Sequence, residues 1–302
     1  MSATQNFLRF FGLVSFVVVG PACKRDNPMS AQPAEVIAAA DNASGATDKT
    51  PLPGVDVSAL EDAKADTFYR LVATLPSPCG KAHSLRTSVT TDTACKRATF
   101  AARYVATLLA DGAPEAFIQG DYDKRYKSFD VKEIDTSKAP MSGNVDAPVK
   151  LVEYFDYACP ACIGMKPKLD QALAEHAGKA VLFYEMFPLE ARHPDSRSAA
   201  KAALAAQAQG KFKEMHEILF LKSPAHKRED VLKYAGALGL DLARFEADYD
   251  AADAHVDSDI RQGETLNVAS TPTLFLNGRL YTGPQDAKYI GMWIEEEFAV
   301  NR

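Results

Sequence analysis

Positive charge is scarce relative to negative: 34 Lys and Arg face 40 Asp and Glu, leaving a formal net charge of −6 and a pI near 5.6, which argues against a nucleic-acid partner. A glycine-rich phosphate loop, a G-x-S-x-G elbow and internal repeats are all absent, so nothing points to a nucleotide cradle, a serine hydrolase or a solenoid. Long apolar runs are missing too. The run Phe10 to Val19 has about ten residues, too short for a membrane span and right for the core of a signal peptide. None of the 6 histidines falls into a convincing metal pattern. No metal and no cofactor is expected.

Arg9 is the one basic residue ahead of that run, and Gly20-Pro21-Ala22-Cys23 follows it. Residues 1–22 therefore read as an export signal. Its end resembles a bacterial lipoprotein processing site, in which Cys23 would become the lipidated first residue, although Gly20 stands where an aliphatic is usual and Pro21 is uncommon. The alternative is a cleaved secretory peptide that leaves Cys23 as a spare thiol. Residues 23–56 are dense in Ala, Asp, Asn, Ser, Thr, Gly and Pro with almost no aromatics, and cannot bury enough apolar area to offset ordering. They are expected to be a disordered tether that lets an anchored domain reach its substrates. The remainder, about 245 residues, suffices for one α/β core with helical additions.

That core is organised around VKLVEYFDYACPACIGMKP, from Val149 to Pro167. Val149, Leu151, Val152, Tyr154 and Phe155 form an apolar segment rich in β-branched and aromatic residues, which reads as a buried strand. Asp156 and Tyr157 begin a turn. Pro160 then suits a first helical position, where its missing N–H has no intrahelical partner to lose. Cys159 falls at the helix N-terminus, where open N–H groups and the helix dipole stabilise a thiolate. Cys162 comes round the first turn beside it, so the two can close and reopen a small ring. Haem attachment would need His after the second Cys, and Ile163 is there; a zinc ribbon would need a second C-x-x-C or paired His, and Cys79 and Cys95 supply neither.

With three further features the stretch resembles the active site of the thioredoxin superfamily, in particular its DsbA-like branch. Glu153 stands six residues before Cys159, where the family carries a buried acid that helps move the resolving thiol's proton. Pro167 matches the proline that kinks the family's first long helix. Ser270-Thr271-Pro272-Thr273-Leu274-Phe275-Leu276-Asn277-Gly278 resembles the loop and strand whose cis-proline faces the disulfide. The resemblance implies a cis Thr271-Pro272 peptide and a Thr271 backbone placed to pair with a substrate strand. Of the five cysteines, one goes to the lipid and two to the C-x-x-C, leaving Cys79 and Cys95. Four cysteines allow three connectivities. The local active-site pair favours 159–162 with 79–95 as a structural disulfide, a second redox pair being the alternative.

The fold class is therefore expected to be α/β: a thioredoxin-like fold over 128–302 with a helical insertion at about 192–267, preceded by a small helical region at 57–127. In the helical region Ser58 and Glu61 suggest a capping box, and helices are expected from Thr93 towards Asp111 and from Pro114 to about Tyr126. The stretch Leu75 to Tyr126 resembles the small helical domain of CcmH-type cytochrome c maturation proteins but lacks their C-x-x-C, so structural support or partner docking is expected of it. A first strand is expected over 128–134, a second over 181–187, and His193-Pro194-Asp195 as a turn or helix start. The phrase FPLEARHPDSRSAAKAALAAQAQGKFKEMHEILF is similar to the opening of the helical insertion of DsbA-like proteins. Asn277-Gly278 signals a type I′ hairpin. The closing helix should bury Ile290, Trp293, Ile294 and Phe298 and solvate Glu295, Glu296 and Glu297.

The resemblance implies thiol–disulfide exchange in the periplasm or cell envelope, with exported cysteine-containing proteins as clients and a membrane redox partner, oxidase or reductant, behind it. Cys159 and Cys162 would react, with Pro160 and Ala161 tuning the couple and touching substrate. Strongly oxidising members carry His where Ala161 stands. A redox titration should accordingly give a less oxidising potential than theirs, and Ala161→His should raise it. The competing class is a non-catalytic thioredoxin-like module that docks exported proteins, and loss of both thiols would leave its function unchanged.

Overall fold

The computed structural model describes residues 47–127 and 130–301. The expected signal peptide, Cys23 and the tether as far as 46 lie outside them; the last residues of the expected tether are instead held on the helical region, with Leu52 buried in its core and the Gly54 carbonyl accepting from Arg103. Among the described residues four helices come first: α1 (Asp62–Thr74), α2 (Leu85–Thr90), α3 (Ala98–Ala110) and α4 (Glu115–Tyr126). Their apolar faces meet around Phe68, Leu71, Val72, Leu85, Val105, Leu108 and Tyr122. No capping box forms, because the Ser58 N–H goes to Asp56 and Glu61 is itself the N-cap. No apolar period marks α2; Ser84 starts it by accepting the Thr87 N–H. The helix expected from Thr93 begins only at Ala98, since Asp92 draws the Ala94 N–H into a turn and Cys95 is bonded to Cys79.

That disulfide spans a sequence separation of 16 with Cα atoms 5.8 Å apart. Closing a loop of this size contributes about 3 kcal/mol in the chain-entropy account. Replacing both cysteines by Ala should lower the unfolding free energy by about that amount, read as a shifted urea midpoint.

The chain then runs through β1 (Met141–Gly143), β2 (Val149–Phe155), α5 (Pro160–Glu175), β3 (Ala180–Met186), α6 (Ser196–Gln207), α7 (Phe212–Leu221), α8 (Arg228–Ala237), α9 (Leu242–Ala251), α10 (Asp253–Thr265), β4 (Thr273–Leu276), β5 (Arg279–Leu280) and α11 (Ala287–Val300). The sheet order is β1-β3-β2-β4-β5, with β2 and β3 parallel and the other neighbours antiparallel. Residues 130–134, the described part of an expected strand, are irregular. Lys132 makes one backbone bond there, to Gly278, and β1 takes the edge instead.

Alternation sorts the sheet into two buried faces. Leu151, Phe155, Leu182, Tyr184 and Leu274 pack on Met165, Leu169, Ile290 and Trp293. Val152, Tyr154, Val181, Phe183 and Phe275 form the other face with Val268. Helices α6 to α10 lie between β3 and β4 in sequence, and the buried alanines of α6 let its neighbours approach closely.

Only Glu295 belongs to the solvated face expected on α11. The side chains of Glu296 and Glu297 are 1% and 3% exposed. Arg97 reaches both, at 2.6 and 2.7 Å, Arg125 reaches Glu296 at 2.5 Å, and Arg279 reaches Glu297 at 2.7 Å. The Arg125 guanidinium also lies 4.3 Å from the ring centres of both Tyr104 and Trp293. Charges so far from water persist only with such partners, and these tie α3 and α4 to α11 and β5.

Candidate active site

Strand β2 ends at Phe155, and Asp156 turns the chain. Its Oδ1 accepts the Ala158 N–H at 2.7 Å, and its carbonyl accepts the Cys159 N–H at 3.1 Å. Cys159 is thereby the N-cap of α5, with Pro160 at the first position and Pro167 inside the helix. Cys162 is fully buried and Cys159 is 8% exposed. Both are free thiols. Pro160 and Ala161 are exposed beside them.

The loop before β4 arrives from the far side of the sequence. Its Thr271-Pro272 peptide is cis, and the Cys159 thiol donates to the Thr271 carbonyl at 3.4 Å. Glu153 lies on β2 below, 3% exposed. Burial, and next the charge of Asp170, push its carboxyl up to about 8. Burial, and next the charge of Glu153, push the Cys162 thiol far above its ordinary range, while the nearby Asp156 backbone pulls the other way. Burial and the neighbouring Glu153 charge thus both favour the protonated Cys162 thiol.

The structure thus gathers Cys159, Cys162, Thr271 and Pro272, with Glu153 behind them. Cys79 and Cys95 belong to the helical region. Four residues at the site are given no part in its chemistry by the sequence pattern. Asp156 binds His193 at 2.8 Å, and the Tyr157 hydroxyl lies 3.0 Å from His216 Nδ1. Burial drives His216 down to about 3. The only local signal is an acid in the turn before the first cysteine; the histidines come from other elements. Among the described residues no group of three or more His, Cys, Asp or Glu is placed to hold a metal ion. Nor is any helix among them long and apolar enough to cross a membrane.

The family model for thioredoxin matches residues 135–296, more than half of the chain and the whole of this sheet and site. The chain belongs to the thioredoxin family. Its α/β fold is accordingly thioredoxin-like, with α6 to α10 inserted between β3 and β4. It is similar to the Na(+)/H(+) antiporter NhaA 1 of Mycobacterium sp. (strain KMS), 37% identical over 161 residues, covering 52% of this chain and 26% of that protein. The Na(+)/H(+) antiporter NhaA 3 of Salinispora tropica is 34% identical over 172 residues, covering 56% of this chain and 26% of that one. The chain spans about a quarter of the length of these curated relatives. Among solved structures it is similar to oxidised BdbD from Bacillus subtilis, with 23% identity, a TM-score of 0.49 and coverage of 56% of this chain and 97% of that one. A thioredoxin-like oxidoreductase from Silicibacter pomeroyi gives 29% identity, a TM-score of 0.48 and coverage of 53% and 94%.

Proposed function

We propose that this thioredoxin-family protein is an exported, DsbA-like thiol:disulfide oxidoreductase that forms, reduces or isomerises disulfides through Cys159 and Cys162. The observation that carries the reading is the Cys159 sulfur at 3.4 Å from the Thr271 carbonyl, beside a cis Pro272, with Cys162 buried behind it. A client strand laid along Thr271 would bring its own sulfur to the one thiol it can reach.

In the oxidising direction a client thiolate attacks Cys159 of the Cys159–Cys162 disulfide. A client–Cys159 bond forms, the Cys159–Cys162 bond breaks, and Cys162 leaves as a thiolate that takes a proton from Glu153. The client's second thiolate then attacks its own bridged sulfur and releases Cys159. The client loses two electrons to the protein's disulfide, which becomes the dithiol, and the reverse sequence reduces a client; the partner that resets the couple decides the direction.

The proposal includes a signal peptide at 1–22, a tether that starts at Cys23 as lipid attachment and ends before the packed Leu52, a helical region to 127 held by the Cys79–Cys95 disulfide, and the redox domain 128–302. It places the protein in the periplasm or cell envelope beside a membrane redox partner. The antiporter names describe proteins about four times the length of the matched stretch and supply no substrate for this chain.

A Cys162→Ala variant tests the reading in intact cells. Without a resolving thiol, mixed disulfides at Cys159 should accumulate, dissolve on reduction and identify clients by mass spectrometry. Absence of adducts, or adducts that persist when Cys159 is also replaced, would overturn it.

A further inference from the structure

Disulfide exchange uses two thiols, a proton carrier and the Thr271 carbonyl; it makes no use of Asp156, the acid in the turn that leads into Cys159. The Asp156 side chain is 0% exposed. Three donors converge on its two oxygens: the Ala158 N–H on Oδ1 at 2.7 Å, and the Leu189 N–H and His193 Nδ1 on Oδ2, both at 2.8 Å. The main chain of the same residue completes the frame. Its carbonyl accepts the Cys159 N–H at 3.1 Å.

Turn formation alone does not explain this arrangement. An Asx turn needs only the bond to Ala158, which Asn or Ser could also make. The bonds to Leu189 and His193 use the second oxygen, where Asn would present an NH2 group to further donors. Only a carboxylate accepts all three. His193 is 20% exposed, so the tie runs from the redox turn outward to the segment between β3 and α6, not into the core.

We propose that Asp156 and His193 form a positioning pair for the dithiol: the carboxylate fixes where Cys159 and Cys162 stand against Thr271, and the imidazole holds and offsets the carboxylate. The inference rests on the reading of Cys159 and Cys162 as an exchanging pair. The thiolate that exchange requires at Cys159 forms three residues from this carboxylate. Removing the negative charge should therefore favour the reduced form, and removing the donor that offsets it should favour the oxidised form. Opposite signs from two bonded partners are a signature that a purely structural tie lacks.

The full chain is equilibrated with glutathione buffers and the dithiol fraction read by alkylation, with thermal unfolding measured alongside. Asp156→Asn should move the equilibrium constant about tenfold towards the dithiol, and His193→Ala about threefold towards the disulfide. Asp121→Asn is the control, because Asp121 is buried against Tyr104 in the helical region. It should lower the melting temperature yet stay within about twofold of wild type. Asp156→Asn and His193→Ala both within about twofold, or both shifted the same way, would overturn the proposal. If Asp156→Asn fails to fold, His193→Ala decides alone, since its side chain reaches the surface. A wild type that never equilibrates with glutathione would instead remove the exchange reading itself.

Discussion

Cys159→Ser should abolish disulfide exchange, lowering the rate of oxidation of a reduced dithiol peptide by on the order of 10³-fold or more. Serine keeps the size and the bond to the Thr271 carbonyl but cannot form or break an S–S bond. Cys162→Ser should fail differently. The reachable sulfur survives in that variant, so one mixed disulfide forms at Cys159 and then stalls, giving stoichiometric adduct with little turnover. The asymmetry follows from placement: Cys159 caps the helix beside exposed Pro160 and Ala161, whereas Cys162 has no exposed surface. Full complementation by both variants would favour a docking module over an enzyme.

What the sequence made legible was local. A run of β-branched and aromatic residues gave β2, and Pro160 one residue after a cysteine gave the start of α5, because each depends on neighbours a few positions away. Asn277-Gly278 adopts the positive φ angles, 46° and 76°, that a type I′ turn requires. Distant pairings left no such mark. Glu296 and Glu297 follow another glutamate in a run that looks solvated, and their partners are Arg97 and Arg125, some 170 to 200 positions earlier, with Arg279. Asp156 looks like any turn acid until Leu189 and His193 are brought to it. The approach of Thr271 to Cys159 was legible only through family resemblance, since nothing in either segment names the other. The irregular stretch before β1 shows the converse: its Lys132 makes a single backbone bond, to Gly278, and β1 is the strand that pairs with β3.

Glu153→Gln should stabilise the fold while slowing its chemistry. Folded Glu153 holds its proton to about pH 8, against 4.5 for an unperturbed glutamate, chiefly because it is buried. Between those values the folded state binds more protons than the unfolded, so wild-type stability falls as pH rises from about 4.5 to about 8 and is level beyond. Glutamine has no proton to lose. The unfolding free energy of the variant minus that of wild type should thus grow by on the order of 4 kcal/mol between pH 4 and pH 8, read from urea titrations at stepped pH. Taking the difference cancels other buried groups that titrate in the same protein, such as Glu185, raised by burial and Asp259, and His216, lowered by burial. A difference flat with pH would mean that the folded carboxyl titrates as it does in water. The amide can neither give a proton to the leaving Cys162 thiolate nor take one back, so resolution of the mixed disulfide should slow by about 10²-fold. Both effects come from the same buried proton, which burial holds on Glu153 at the expense of stability above about pH 4.5.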